Sequence, residues 1–187
     1  METVMEQRQR CSWCNTKNPL YIEYHDNEWC VPNFEDGYLY EMLILESFQA
    51  GLSWECVLNK RESFRTAYDG FDIEKVIKYG EEKIIELLNN KDIIRNKLKI
   101  KASINNSKIF KKISQEYDGF YNYLLTFYDG KTIYESDRTT NELSDKISAD
   151  LQGRGMKFAG STIIYSYLQA VGIIYSHEKE CYLYKEK

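Results

Sequence analysis

The chain has 187 residues, of which 43% are hydrophobic and 29% are charged. These proportions are typical of a folded globular protein and exclude a disordered tail. The length fits one domain, residues 1–187, better than two small ones. No apolar run approaches the ~18 residues that span a bilayer, and the N-terminal stretch lacks the apolar core of a signal peptide. A cytoplasmic monomer without a membrane partner is the default expectation.

Cysteine count and charge limit the class further. Five cysteines are an odd number in a chain without an export signal, which favours reduced thiols, some on a metal, over disulfides. A net charge of −4 is unfavourable for a nucleic-acid binder, yet one stretch is basic and contains no acid. It is either a phosphate-binding face or a solvated helix face. Its members are Arg95, Lys97, Lys99, Lys101, Lys108, Lys111 and Lys112.

Helical spacing of apolar residues recurs along most of the chain, with cap and breaker residues between the segments. Asp36, Ser53 and Ser144 are candidate N-caps. The predicted helices cover about 36–50, 53–64, 72–77, 84–88, 93–116, 144–153 and 161–175. The best strand candidate, Lys131–Tyr134, is short and has no evident partner. An all-α single domain is therefore predicted.

The two ends of the chain carry metal-ligand residue types. His177 precedes Cys181 by four residues, which on a helical turn would point both side chains the same way. Cys11 and Cys14 form a C-x2-C pair, and His25 follows. Two thiolates and two imidazoles suit a closed, structural Zn²⁺ site, which would join the termini. The alternative is that these are unrelated core or surface residues.

One carboxylate lies on the wrong face of a helix. The segment 38–50 is apolar nearly all round, and Glu41 and Glu46 are its charges. A buried carboxylate is costly without a partner, which makes Glu46 a functional candidate. The alternative is that Glu46 pairs with a lysine or arginine, or lies at the edge of the apolar side of the helix. The apolar helical neighbours of Glu46 are Leu39, Met42, Leu43 and Ala50.

Five aromatic residues lie at or beside loop positions. They are Trp13, Tyr21, Tyr24, Trp29 and Trp54. Such a cluster is usually core, but with a carboxylate it also suits a pocket for a flat, cationic heterocycle, through stacking and cation–π attraction.

Several blocks of the sequence resemble the DNA-3-methyladenine glycosylase I family, and they cover almost the whole chain in order. The blocks are Pro19–Trp29 with Val31-Pro32, Glu46–Trp54, Val57–Arg61, Ile93–Arg95, Arg154–Ile163 and Tyr165–Ala170. The resemblance implies a helix-hairpin-helix glycosylase-type fold. It also implies a base-excision-repair enzyme that acts on double-stranded DNA with alkylated bases.

The resemblance also assigns residues. It implies one structural Zn²⁺ held by Cys11, His25, His177 and Cys181, with Cys14 as a spare thiol that could compete with Cys11. It places Glu46, the proposed catalytic group, in a base pocket with Tyr21, Tyr24 and Trp54, and Trp13 and Trp29 as lining. The implied hairpin is Gly155–Gly160, where backbone N–H groups would approach a DNA phosphate.

The expected reaction is flipping of N3-methylated adenine into the pocket and hydrolysis of its glycosidic bond, which releases free 3-methyladenine. The turn Gln49–Ser53, with Gly51 and Leu52, is a candidate for the element that approaches the gap left in the duplex by the flipped base. A simple connector between two helices is an equally compatible interpretation. Lys157 is the one candidate for a Schiff base, but the family argues for monofunctional action.

Two other functions remain open. A non-catalytic, zinc-stabilised module that binds damaged DNA would have no need of Glu46. A helical interaction domain unrelated to DNA would use the basic stretch only for solubility. Two positions also depart from the family, because Cys30 and Asp92 stand where it usually has glycine.

Overall fold

The computed structural model describes residues 8–186. The stretch considered for a signal peptide begins in residues 1–7, outside that range. No helix of the described part is long and apolar enough to cross a membrane. The helices are α1 Pro19–Asn27, α2 Asp36–Gln49, α3 Trp54–Leu58, α4 Arg61–Ala67, α5 Ile73–Val76, α6 Glu81–Asn89, α7 Lys97–Tyr117, α8 Phe120–Leu125, α9 Glu142–Gly153 and α10 Ser161–Ala170. A 3-10 turn covers Asp69–Phe71, and the strands are β1 Ile133–Tyr134 and β2 Ile174–Tyr175.

Helix α2 is the centre of the molecule. It contacts α3, α7, α8 and α10. Because these elements surround α2, its apolar side chains are buried on nearly every side, as expected for a core helix. Its buried positions include Leu39, Met42, Leu43, Ile44 and Leu45, all without exposed surface.

The predicted helical fold is confirmed in its main part, but two details were wrong. Strand β1 has a partner, since it pairs in parallel with β2 in the register Ile133↔Ile174 and Tyr134↔Tyr175. The last helix ends at Ala170 instead of Tyr175. The reason is Gly172, which has a φ of +79° and turns the chain into β2. An apolar run of this length does not distinguish a helix end from a buried strand.

Two of the predicted helix starts are confirmed by their caps. The side chain of Ser53 accepts a hydrogen bond from Cys56 N at 3.2 Å. Asp72 accepts one from Glu74 N at 3.0 Å. Each cap satisfies a backbone donor that the first turn of a helix leaves free. The helix predicted from Ser53 onward is divided into α3 and α4.

Two other predicted caps are shifted. Ser144 lies inside α9, where it closes a capping box with the true N-cap Asn141. The box uses both residues reciprocally, so a serine three positions inside a helix was mistaken for its start. Asp36 is the first residue of α2, and its carboxylate accepts a hydrogen bond from Phe120 N at 3.0 Å.

The basic stretch does not form one free cationic face. Lys99 is buried, and its ammonium group donates to the carbonyls of Phe48 at 2.7 Å and Ala50 at 2.6 Å. Lys101 and Lys111 form ion pairs with glutamates at 3.2 and 2.7 Å. The stretch therefore holds neighbouring elements together as well as adding surface charge.

Candidate base pocket and metal centre

The four predicted metal ligands come together at the joined ends of the chain. The ligand atoms of Cys11, His25, His177 and Cys181 all lie within 4.8 Å of one another, and all four residues are buried. Both thiols lie 3.5 Å from His177 Nδ1. A tetrahedral zinc ion with ordinary Zn–S and Zn–N bonds places such sulfur and nitrogen atoms about 3.6 Å apart. The donor set and its spacing therefore fit a tetrahedral metal.

Groups around the cluster orient its ligands. The Asp26 carboxylate lies 2.8 Å from His25 Nδ1, which leaves His25 Nε2 to face the cluster. Backbone N–H groups of Glu178 and Leu183 donate to the Cys11 and Cys181 sulfurs at 3.4 and 3.5 Å. Carboxylate–imidazole pairs and N–H donors to sulfur are the usual outer contacts of a metal site.

Two expectations about this centre are now refined. Cys181 closes a turn through the bond from Cys181 N to Glu178 O at 2.9 Å, and His177 lies directly before that turn, so the predicted helical turn between the two was wrong. Cys14 lies outside the four-residue cluster, and its thiol points to the Tyr21 carbonyl at 3.7 Å.

A cavity of about 470 Å³ opens beside this cluster. All six side chains predicted for the base pocket line it, namely Trp13, Tyr21, Tyr24, Trp29, Glu46 and Trp54. They come from the N-terminal segment, α1 and the turn after it, α2 and the first position of α3. The volume is in the range of small-molecule sites.

Glu46 is the unusual group of the cavity. Its residue is 3% exposed, and Oε2 has no hydrogen-bond partner. Burial raises the pKa of this carboxyl to about 8, because desolvation disfavours the charged form. Glu41 on the same helix accepts from Arg61 and Arg65 instead. The alternative that Glu46 pairs with a lysine or arginine is therefore not realised among residues 8–186.

Aromatic rings form the walls. The Tyr24 and Trp54 ring centroids are 5.3 Å apart, and those of Trp13 and Trp29 are 4.6 Å apart. Burial raises the pKa of Tyr21 to about 12, so its phenol stays protonated and able to donate. The Trp54 indole Nε1 has no partner. The walls offer flat apolar faces together with unused donors.

The cavity and the metal cluster share a wall. The Trp29 ring lies edge-on to His177 with centroids 4.8 Å apart, and Trp13 lies 5.3 Å from His25. Two of the pocket aromatics therefore rest directly on two of the four clustered residues. The walls of the cavity are thus packed against the cluster that could hold a metal ion.

The turn Gln49–Ser53 lies at the cavity, with Gln49 among the lining residues. Gly51 has a φ of +76°, a left-handed conformation that glycine adopts without strain. Gln49 Nε2 donates to Leu52 O at 2.9 Å, and the Leu52 residue is 40% exposed. An apolar side chain therefore projects from a braced turn next to the pocket.

The hairpin at Gly155–Gly160 is anchored to α7. Asn105 Nδ2 donates to Gly155 O at 2.9 Å, and Asn106 exchanges two bonds with the backbone of Lys157. The Lys157 N–H is therefore not free for a phosphate. Gly155 needs its glycine, with φ +99°, whereas Gly160 has an ordinary φ of −68°.

Several lining residues escaped the sequence-based prediction. Ser166 and Gln169 lie three positions apart on α10 and line the cavity, as do Asp137, Arg138 and Thr139 of the loop before α9. A polar residue on an otherwise apolar helix is the signal that identified Glu46, and it also applies to the α10 pair. The loop offers no such signal, because a polar loop is the ordinary case.

The family model of methyladenine glycosylases matches residues 13–184. The chain belongs to the methyladenine glycosylase family. The DNA-3-methyladenine glycosylase 1 of Escherichia coli (strain K12) is 39% identical over 182 residues, which cover 94% of this chain and 97% of that protein. The predicted family is therefore confirmed.

Solved structures agree with this assignment. A crystal structure of 3-methyladenine DNA glycosylase I is 39% identical with a TM-score of 0.90, over 95% of this chain and 100% of that chain. The 3-methyladenine DNA glycosylase I of Staphylococcus aureus, solved for the structural basis of 3-methyladenine recognition, is 31% identical with a TM-score of 0.87. That match covers 93% of this chain and 97% of the other. This methyladenine glycosylase family member thus shares both sequence and fold with its relatives.

The two departures from the family pattern have different environments in this methyladenine glycosylase family member. Cys30 has a φ of +64°, a conformation that favours glycine, and its sulfur accepts from Ser176 N at 3.3 Å. Asp92 is exposed, and its carbonyl accepts from Lys60 Nζ at 3.2 Å. Neither residue lines the cavity that contains Glu46.

Proposed function

We propose that this protein is a base-excision-repair DNA glycosylase that removes N3-methylated adenine from double-stranded DNA and releases free 3-methyladenine. The observation that carries the proposal is the buried Glu46 carboxylate, whose Oε2 has no partner, in an aromatic cavity. Burying a carboxylate without a partner costs stability, and such a group is expected where a ligand supplies the missing partner. Membership of the methyladenine glycosylase family supports the same reaction.

The chemistry follows from the charge of the damaged base. Alkylation at N3 leaves adenine positively charged in DNA, so the base departs neutral and needs little acid catalysis. The aromatic walls, with Tyr24 and Trp54 in contact, would stack on the cation. Glu46 would accept hydrogen bonds from it and favour its positive ring. Neutral adenine gains less from the aromatic stacking and from Glu46, and this difference gives selectivity for the methylated base. A water molecule then completes the hydrolysis.

Base flipping needs an element that occupies the vacated space and others that hold the backbone. The exposed Leu52 and the positive-φ Gly51 on the turn Gln49–Ser53 are our candidates for the gap. The hairpin Gly155–Gly160 leads into α10, whose first N–H groups form an anion-binding end. Because Lys157 N is already bonded to Asn106, the phosphate contact is assigned to the N–H groups after it and to the exposed Lys157 side chain.

We propose one domain of the helix-hairpin-helix glycosylase type with one structural Zn²⁺. Cys11, His25, His177 and Cys181 would hold the ion, and its four protein ligands leave no open position for catalysis. When bound, the ion supplies a cross-link between the two ends of the chain. Its ligands then support the Trp13 and Trp29 walls. We also propose that the protein acts as a monomer, which sedimentation of the intact chain tests.

Monofunctional action is supported by the composition of the cavity. A lyase step needs a lysine amine within reach of the sugar. None of the described residues that line the cavity is a lysine, and Lys157 lies outside that lining. Borohydride should therefore trap no covalent adduct between the protein and methylated DNA. An adduct that disappears with Lys157→Ala would contradict this part of the proposal.

The decisive experiment compares release of free 3-methyladenine from methylated duplex DNA by the wild type and by Glu46→Gln. We expect release by the wild type and a loss of at least tenfold in the variant. Glu41→Gln is an unsuitable control because it breaks ion pairs, so Glu82→Gln, which removes the same charge from an exposed residue of α6 outside the cavity lining, controls for the change of charge. Duplex binding without release by a folded, metal-loaded wild type would instead support the damage-binding module.

A further inference from the structure

The loop between β1 and α9 forms part of the cavity rim. Asp137, Arg138 and Thr139 line the cavity together with Glu46. The start of the loop is fixed, because Glu135 N donates to Tyr175 O at 3.1 Å and Asn141 Nδ2 donates to Glu135 Oε1 at 2.6 Å. The rim residues are therefore carried on a loop that is anchored to β2 on one side and to the cap of α9 on the other.

The rim has one basic side chain. Among the described residues that line the cavity, Arg138 is the only lysine or arginine, whereas Glu46, Asp137 and Glu178 are acids. The Arg138 side chain is 62% exposed, and its Nε lies 3.9 Å from Glu135 Oε2. That is too long for a hydrogen bond, and exposed pairs of this kind add about 0–1 kcal/mol to stability. The fold makes little use of this guanidinium.

A base that enters the cavity remains joined to its sugar and to the two flanking phosphates. The phosphates cannot follow the base between aromatic walls, since a charge loses its hydration there, so they stay at the rim. A guanidinium presents a planar fork of donors that matches a phosphate. We propose that Arg138 binds a backbone phosphate of the nucleotide whose base enters the pocket.

The position of the loop relative to the hairpin supports this assignment. Ser144 in the first turn of α9 and Ser161 at the start of α10 have their hydroxyl oxygens 2.8 Å apart. The N-terminal ends of the two helices therefore lie side by side. Arg138 precedes α9 by only a few residues, and the hairpin immediately precedes α10. One DNA strand can contact the hairpin and the rim arginine together.

This inference rests on the proposed function, so its test separates the two. The probe is a duplex with a stable tetrahydrofuran abasic analogue, and the readout is the slope of log K against log salt for wild type, Arg138→Gln, Arg138→Lys and Lys75→Gln. Lys75 is a matched control, because it also forms an i,i+3 pair at 3.9 Å, is 59% exposed and lies away from the cavity.

Loss of one phosphate contact reduces the slope by about 0.9, which makes the complex about 3.5-fold less sensitive to a change from 50 to 200 mM salt. We expect that reduction for Arg138→Gln, an unchanged slope for Arg138→Lys and Lys75→Gln, and unchanged binding of free 3-methyladenine by all four proteins. A wild-type slope in Arg138→Gln, or an equal reduction in Lys75→Gln, would overturn the inference.

The outcomes for the two proposals differ. Duplex binding without base release would overturn the proposed reaction and still test Arg138 through the slope. Base release with an unchanged slope in Arg138→Gln would overturn only the role of Arg138. Absence of any duplex binding by the wild type would overturn both.

Discussion

Asn106 and Lys157 are joined by two hydrogen bonds in opposite directions. Asn106 Nδ2 donates to Lys157 O at 2.7 Å, and Lys157 N donates to Asn106 Oδ1 at 2.9 Å. The asparagine has no exposed surface, and it lies in the middle of α7. Because one amide fixes both polar groups of a single peptide position, α7 sets the orientation of the hairpin that leads into α10.

The first prediction concerns this pair. Asn106→Ala leaves a backbone N–H and a carbonyl of Lys157 without partners, so we expect a loss of about 2–3 kcal/mol in the free energy of unfolding. Duplex DNA binding should weaken, while binding of free 3-methyladenine stays unchanged. Asn105→Ala is the control, because Asn105 makes a single bond to Gly155 O from an exposed position. Urea unfolding and two binding titrations check this. Equal effects of both variants on DNA binding would contradict it.

The second prediction concerns the buried Lys99. Its ammonium group caps the end of α2 by donating to Phe48 O and Ala50 O. Ala50 belongs to the turn Gln49–Ser53, so Lys99 also holds the first part of that turn. Lys99→Met keeps the length of the side chain and removes the donors. Hydrogen bonds from charged groups are worth about 1.5–3 kcal/mol, so unfolding should become easier by that amount. Base release should fall, because the turn loses its brace.

Lys97→Met on the exposed side of α7 is the control for Lys99→Met. It removes one positive charge without any contact to α2. If the two variants lose base release equally, net charge explains the result and the bracing role of Lys99 is wrong. Single-turnover release from methylated DNA at saturating protein separates this from weaker DNA binding.

The third prediction concerns Gly172. A Cβ at this position would lie 2.3 Å from Pro32 N, and φ is +79°. Gly70 has a similar φ of +69° with nothing within 4 Å of its Cβ. Gly70→Ala should therefore cost only the left-handed backbone, about 1–2 kcal/mol. Gly172→Ala adds a backbone clash, so it should lose far more stability or fail to fold. Equal midpoints in urea would contradict the steric argument.

These contacts show how far the sequence alone predicts the molecule. Glu46 and the aromatic walls could be predicted, because a carboxylate on an apolar helix and a family motif both lie within short stretches. The α10 end could not, since an apolar run is compatible with both a helix and a buried strand, and the close approach of Pro32 to Gly172 joins residues distant in sequence. Arg138 was also missed, because only the pairing of β1 with β2 brings its loop to the cavity. What remained hidden depends on contacts between residues distant in sequence.

The fourth prediction concerns metal. Treatment with a strong chelator should lower the melting temperature, because the cluster joins both ends of the chain. Tryptophan fluorescence should change before global unfolding, since Trp13 and Trp29 contact His25 and His177. Zinc added back should restore both signals.

Three cysteine variants distinguish the ligands. Cys181→Ser should lose bound zinc in elemental analysis, whereas Cys14→Ser should retain one equivalent because its thiol points away to Tyr21 O. Loss of zinc from Cys14→Ser with retention in Cys11→Ser would show that Cys14 replaces Cys11 in the site.

The last prediction concerns pH and Glu46. Its folded-state pKa of about 8 lies above the ordinary value of 4.5. Below pH 4.5 the carboxyl is protonated in both states and has no effect. Between pH 4.5 and 8 the unfolded chain ionises first, so stability falls as pH rises, and the total loss is about 3–5 kcal/mol. Glu46→Gln removes this loss.

Consequently the stability of Glu46→Gln relative to the wild type should increase from pH 5 to pH 8. The measurement is the difference between the two proteins in free energy of unfolding at each pH. Asp137, Arg138 and Glu178 also line the cavity, but they are present in both proteins and cancel in the difference. Base release by the wild type should rise with pH toward 8, because only the ionised carboxylate favours the cationic base. A stability difference that is equal at pH 5 and pH 8 would mean that Glu46 is solvated in the folded protein. The cavity would then lack the desolvated carboxylate on which the proposed selectivity depends.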